Sequence, residues 1–280
     1  MKVFPFKISK PKDVVLIYQE DVGKNFYNKL HQHEEIQLSY ILKGQGTLIV
    51  GNTINTYKQG DTIVIGGNLP HVFKSDTSTG KTSKMLSLFF TKDSLGENFF
   101  TLSEFQILKP FFNRMVRGFK IDTNTSDIEA LFLQLKTSKK LERFIILLQL
   151  IRATSTKNHK KLSSFVYEKN YSLADGNRLQ VVYDYTISNF RSYISLDQIA
   201  DVSNMTKTSF CKYFKKRTNK TYFEFLNELR IQHACKLLRE DIDQSITAVA
   251  YDSGFKNIAN FNRQFKYIKG MTPSNYRELV

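Results

Sequence analysis

The chain has 280 residues, and its 41 Lys+Arg against 26 Asp+Glu leave a formal net charge of +15. Hydrophobic residues make up 41%, enough for real cores, which excludes a disordered basic tail. The excess charge calls for a polyanionic partner, and two cysteines, Cys211 and Cys235, exclude a disulfide scaffold or a cysteine-only zinc site.

In chain order, the opening MKVFPFKISKPKD alternates apolar and charged groups and lacks the apolar core of a signal peptide. No apolar run approaches the roughly 20 residues of a membrane span. The longest, 144–151, is broken by Gln149. A cytoplasmic protein with no membrane partner is expected. The charge is uneven: residues 1–135 carry a net +3, 136–170 a net +7 and 179–280 a net +5. Lys157, Lys160 and Lys161 read as a solvated linker or as contacts to phosphate.

Residues 36–65 hold the short apolar runs IQLSYIL, GTLIV and DTIVI, bounded by Gly, Asn or Asp. Gly44-Gln45-Gly46 and Gly51-Asn52 mark tight turns. HVF at 71–73 and the run 85–90 continue the pattern. Several short strands separated by turns predict an all-β barrel or sandwich. Within it, His31, His33, Glu35 and Gln37 fall at period two, which on a strand places them on one face. Together with Gly60, Asp61, Pro70 and His71, this spacing resembles the two short motifs of the cupin barrel. In metal-binding cupins the resemblance implies ligands at His31, His33 and His71. The fourth position, usually Glu, is Gln37 here, and a neutral amide is a poor ligand for a hard divalent cation. Glu35 is a candidate substitute. The expectation is a pocket of His31, His33, Glu35, Gln37 and His71 that takes a small-molecule effector, with no metal, cofactor or catalytic residue.

Around Asp127 the period changes. Ile128, Leu131, Phe132 and Leu135, then Leu141, Phe144, Ile145, Leu148 and Ile151, fall at helical spacing. The polar break at 136–140 suggests an antiparallel helix pair. Its apolar surface either packs on its own barrel or forms a homodimer seam. Residues 154–177 are polar and poorly periodic, the expected interdomain linker.

From Arg178 the pattern is helical to the end, with Leu179, Val182, Tyr183, Thr186, Ile187 and Phe190 on one face. Ser195 and Gln198 have the form of a capping box opening a helix over 196–202. A turn at 203–205 follows, and Thr206 caps a second helix, 207–218, burying Phe210, Tyr213 and Phe214. The arrangement returns about fifty residues later: Ser245 caps 246–251, Gly254 turns the chain, and Asn257 caps a helix burying Phe261 and Phe265. One long helix, 222–239, joins the two units. Thr272-Pro273 opens a last short helix. A short helix, a tight turn and a second helix with a basic face is helix-turn-helix logic.

The run from Ile199-Ala200 through FCKYFKK and LNELRIQHACKLL to ITAVAYDSGFKNIANFNRQFKYIKGMTPSNYR resembles the DNA-binding domain of AraC/XylS-type transcription regulators over about a hundred residues. In that family a cupin-like sensor commonly precedes it. The resemblance implies an α+β chain of two domains: a cupin-like barrel at 1–126, the antiparallel helix pair at 127–153 as candidate dimerisation element, the linker at 154–177, and an all-α domain with two helix-turn-helix units at 178–280. It implies a sequence-specific transcription activator, not an enzyme, with double-stranded DNA, a small-molecule effector, a second copy of the chain and RNA polymerase as partners. The competing reading is a cupin-type metal-dependent isomerase or dioxygenase with a basic appendage. The family pattern places base readers at Thr208, Cys211 and Lys212, with Lys207 nearby and Lys215 on the phosphates. In the second unit it places them at Ile258, Ala259, Asn262 and Arg263, flanked by Asn257 and Lys266. Arg263 suits guanine, Asn262 adenine or phosphate, and Ile258 and Ala259 a thymine methyl.

Overall fold

The structure is a computed structural model that describes residues 14–77, 82–122, 125–166 and 173–279, with only the backbone of 173–177. The opening segment and the middle of the expected linker lie outside the described residues. The chain divides into two compact units, 1–176 and 177–280.

In the first unit β1 (Ile17–Gly23), β2 (Ile36–Lys43), β5 (Thr62–Ile65), β7 (Ser83–Phe90), β8 (Phe119–Ile121) and β9 (His159–Lys161) form one sheet, in the order β1-β7-β2-β5-β8-β9. A second sheet orders β4 (Thr53–Tyr57), β3 (Gly46–Val50) and β6 (His71–Ser75). The pleat sorts β2 by parity. Ile36, Leu38 and Tyr40 join a core with Leu86, Leu88 and Phe90 of β7 and with the helices that follow. Ile41 joins Ile63, Ile65 and Met85 against Leu48, Val50, Tyr57 and Phe73 of the smaller sheet. Both faces of β2 are therefore covered, and Ile36 through Ile41 are buried without interruption. Gln37 and Ser39 share the parity of Ile41, so the interior between the sheets carries a polar strip.

After β7 come two 3-10 turns, Phe99–Thr101 and Ser103–Leu108, then α1 (Lys109–Met115), α2 (Ser126–Gln134) and α3 (Lys140–Thr156). Phe111 stacks on Phe90, and Phe132 on Tyr40. The helix pair thus packs on its own barrel, α2 through the face read from the sequence, with Ile128, Phe132 and Leu135 buried, but α3 only in part. Ile146, Leu147, Leu150 and Ile151 of α3 are buried, whereas Leu141 (68% exposed) and Ile145 (48% exposed) point outward. The expected linker also begins later than its polarity suggests. Its first residues end α3 and form β9, an edge strand paired with β8. Leu162 is buried and donates its N–H to the Gly118 carbonyl, 3.0 Å away. The Leu162 carbonyl accepts from Thr53 Oγ1 and Asn55 Nδ2, and Asn52 bonds both Ser163 and Ser164, so the β3–β4 hairpin clasps the departing chain.

The second unit is helical: α4 (Leu173–Asn189), α5 (Leu196–Val202), α6 (Lys207–Thr218), α7 (Tyr222–Glu240), α8 (Ile246–Asp252), α9 (Ile258–Lys269) and α10 (Pro273–Glu278). Capping sets the boundaries. Ser195, Thr206, Thr221, Ser245, Asn257 and Thr272 each accept backbone N–H bonds from the first turn they open. α7 buries Phe225, Leu226 and Leu229 near its start, where Tyr183 stacks on Phe225 at 4.8 Å. Its second half packs Ile231, Ala234, Cys235 and Leu238 with Val249, Phe255, Phe261 and Phe265. One helix therefore runs through the cores of both helix pairs.

Candidate DNA interface and effector pocket

Each helix pair in the second unit has the same build: a seven-residue helix, a turn containing a left-handed residue, and a twelve-residue helix. The left-handed residues are Asn204 (φ 53°) and Gly254 (φ 86°). A Cβ at Gly254 would stand 2.5 Å from the Phe190 carbonyl oxygen, so the close approach requires glycine. Phe210 and Phe214 hold α6 down against Tyr222, and Phe261 and Phe265 hold α9 down. Six of the named readers on α6 and α9 are then fully turned outward: Lys207, Thr208, Cys211, Lys212, Asn262 and Arg263. Lys215, Ala259 and Lys266 are exposed as well, and Ile258 is half-buried against the core.

Three contacts qualify the roles. Lys207 Nζ lies 2.9 Å from Asp197 Oδ1, both well exposed, a pair worth little in water and replaceable by phosphate. Arg263 Nη2 donates to Asn260 Oδ1 at 2.9 Å, which commits one of five guanidinium N–H groups and steadies the fork. Asn257 Oδ1 accepts from the N–H groups of Ala259 and Asn260, so this side chain serves the cap.

Sequence reasoning assigned no role to Arg230. From α7 it donates through Nε to the Phe190 carbonyl (2.8 Å) and through Nη2 to that of Ser192 (2.9 Å), and its guanidinium lies over the Phe255 ring. It thereby ties the turn before the first helix pair to the turn within the second. Its signal was a lone arginine set among the apolar positions of a long helix.

In the first unit the structure brings His31, His33, Gln37 and His71 together. His31 and His71 exchange both backbone bonds of an isolated bridge, while residues 34–35 bend and β2 starts only at Ile36. The period-two expectation across 31–37 is corrected accordingly: a loop, not a strand, aims the first two rings. The three rings are buried, and their ring nitrogens lie within 4.8 Å of one another. Each Nδ1 lies 2.8 Å from a backbone carbonyl, of Lys29, Glu35 and Leu69 respectively. A carbonyl only accepts, so each Nδ1 carries the hydrogen and each Nε2 is left as an acceptor. Burial lowers all three imidazoles, His31 to about 3 and His71 well below its ordinary value, which keeps the rings neutral. Gln37 Oε1 stands 3.3 Å from His33 Nε2 and 3.1 Å from His71 Nε2. Its Nε2 donates to Ser39 Oγ (2.9 Å), which bonds Ser87 Oγ across the β2–β7 register. Glu35 approaches from the other side, its carboxylate 3.8 Å from His33 Nδ1, so it does not replace Gln37 in the cluster. Sequence reasoning missed Ser39 and Ser87.

Comparison with known proteins agrees with this division. Residues 199–279 match the helix-turn-helix domain family, and residues 20–89 match the cupin domain family. An uncharacterized HTH-type transcriptional regulator of Bacillus subtilis, YdeC, is 25% identical over 95% of this chain and 92% of its own length. A regulator of the same description from Staphylococcus aureus strain COL is 32% identical over 111 residues, and the chain spans only 15% of that protein. Among solved structures, a probable AraC family transcriptional regulator from Rhodopseudomonas palustris is 24% identical over 36% of this chain and 95% of its own, with a TM-score of 0.35. No helix among the described residues is long and apolar enough to cross a membrane.

Proposed function

We infer from a cupin domain joined to an AraC-type helix-turn-helix DNA-binding domain that this chain is a DNA-binding transcription regulator, and we propose that its barrel senses a small molecule. The observation that carries the reading is the repeated helix pair, each copy turning a basic helix face outward from a phenylalanine-anchored core. Lys212 and Arg263 read base edges, and Lys207, Lys215 and Lys266 neutralise phosphates. The pocket of His31, His33, Gln37 and His71 binds the effector. Its Nδ1 atoms are all committed to backbone carbonyls, which fixes the tautomers and turns each Nε2 acceptor toward the pocket.

The reading extends to a homodimer that works in the cytoplasm. The outward apolar stripe of α3, with Leu141 and Ile145, supports a seam between two copies. The AraC-type resemblance supports activation in contact with RNA polymerase. The test is footprinting of the full chain on the DNA upstream of its own and neighbouring genes. Two protected segments about ten base pairs apart per protomer are expected, with affinity falling steeply as salt rises. Absence of any salt-sensitive DNA binding by folded protein overturns the reading.

A further inference from the structure

The largest excess of positive charge lies outside the helix-turn-helix units: residues 136–170 carry a net +7. Of the three lysines singled out there, Lys157 is paired with Asp127 at 3.0 Å, and Lys160 shares a side of the sheet with Lys120, its register partner. Lys161 is exposed and lies on the other side with His159, since these two stand opposite Phe119 and Ile121. The end of α1 meets them there. Arg114 Nη1 reaches the Lys157 carbonyl at 3.5 Å, and the His159 ring bonds the same carbonyl. Burial, then the charges of Arg114 and Lys161, hold the His159 imidazole below its ordinary value. Among the described residues none of Arg114, His159 and Lys161 is paired with a carboxylate, whereas the neighbouring Lys120 is paired with Asp61.

The backbone adds donors at the same place. β9 is the last strand of its sheet. The Leu162 N–H bonds the Gly118 carbonyl and the Asp122 N–H bonds the Asn158 carbonyl, so the even-numbered residues of this strand turn their polar backbone groups toward β8. By the alternation of an antiparallel pair, the N–H groups of His159 and Lys161 point off the free edge. One rim therefore offers an ammonium, a guanidinium, an imidazole and two backbone N–H groups. A lysine on an edge strand also wards off a second strand. That role calls for neither Arg114 nor His159.

We propose that Arg114, His159, Lys161 and the open edge of β9 bind phosphates of the DNA backbone, outside the segments read by the helix-turn-helix units. The proposal rests on the reading of the chain as a DNA-binding regulator. Arginine, lysine and backbone N–H groups are the donors that phosphate contacts use. Exposure favours DNA over a free anion. Lys161 stands in water, where its attraction to a dissolved ion is screened. DNA already held by the second unit meets this rim on the same polypeptide, at an effective concentration of about millimolar, so individually weak contacts suffice. The barrel then adds affinity without sequence preference.

The test uses the full chain and two DNA probes. The short probe holds only the segments protected by a protein carrying both Arg114→Gln and Lys161→Gln. The long probe extends it on each side by two helical turns, roughly 20 base pairs. At about 50 mM salt the wild-type chain is expected to bind the long probe at least about tenfold more tightly, with a salt slope steeper by about two, or roughly 0.9 per phosphate. The double variant, with an unchanged thermal melt, is expected to bind both probes as the wild type binds the short one. Lys161→Glu, at an exposed position, should abolish the preference by itself. Lys160→Gln, which removes a charge from the opposite side of β9, should keep it. Equal binding of both probes by the wild type overturns the proposal and leaves the DNA-binding reading standing, as does a folded double variant that still prefers the long probe. Saturable binding of inorganic phosphate at micromolar concentration without DNA, measured by calorimetry, assigns the rim to a dissolved anion and also overturns it. A wild-type chain that binds neither probe overturns the parent reading and this one with it.

Discussion

Replacing Arg230 with Met tests whether the two helix pairs act as one rigid reader. The substitution keeps an apolar stem beside Phe255 and removes the guanidinium fork. Two charge-assisted bonds are lost, to the carbonyls of Phe190 and Ser192. Such bonds contribute roughly 1.5–3 kcal/mol each where water is excluded. Ser192 is exposed and Phe190 only half-buried, so water replaces part of the loss. The loss therefore falls below the roughly 3 kcal/mol that two such bonds would give at their lower end, to about 2 kcal/mol in total. For a unit of this size that corresponds to a fall of about 10 °C in its thermal transition. The second effect is on geometry. Without the tie between the Phe190 turn and Phe255, the second pair is held less firmly, and its DNA segment should lose protection before the first. Calorimetric melting of the full chain and a footprint titration measure the two effects. An Arg230→Met protein that melts within about 2 °C of wild type and protects both segments at one concentration would refute the reasoning.

Arg263→Ala should cost about 1–3 kcal/mol of DNA affinity and relax sequence preference in one segment only, whereas Lys215→Ala should weaken all sequences alike and lower the salt slope by about one; binding titrations over salt and base substitutions separate them. Ile145→Glu, on the outward stripe of α3, should leave the melting temperature nearly unchanged and shift sedimentation from dimer to monomer. Glu228 is pushed above the usual carboxylate range by burial, which outweighs its ion pair with Lys220. A raised acid favours the protonated fold, so its contribution is present at pH below about 4.3 and is lost as pH rises through the folded value. Glu228→Gln should therefore be neutral or stabilising at pH 7 and should remove that pH dependence, as melts between pH 4 and 7 will show.

The helical unit was legible because its punctuation is local. Ser195, Thr206, Ser245, Asn257 and Thr272 cap the helices that their spacing predicts, since a cap needs only its own first turn. The barrel was less legible because strands depend on partners. β1 reads IYQEDVG and β9 reads HKK, neither apolar enough to declare itself, and each exists through pairing with a neighbour. α3 carries apolar groups on both sides, so periodicity could not choose the buried one, and the barrel made the choice. His31, His33, Gln37 and His71 were found through their motif spacing, but the aim of His31 and His33 comes from a bend at 34–35. Ser39 and Ser87 escaped notice because a serine in a strand ordinarily marks the wet face, and here neither face is wet.

The clasp at 162–164 bears on how the barrel's state leaves the barrel. The departing chain is bonded to Gly118, beside the larger sheet, and to Asn52, Thr53 and Asn55 of the smaller one. It works like a drawstring threaded through both lips of a purse. A molecule that spreads or draws together the two sheets would have to strain or break these bonds at 162–164, so the exit of the chain from the barrel is a gauge of the gap between its sheets.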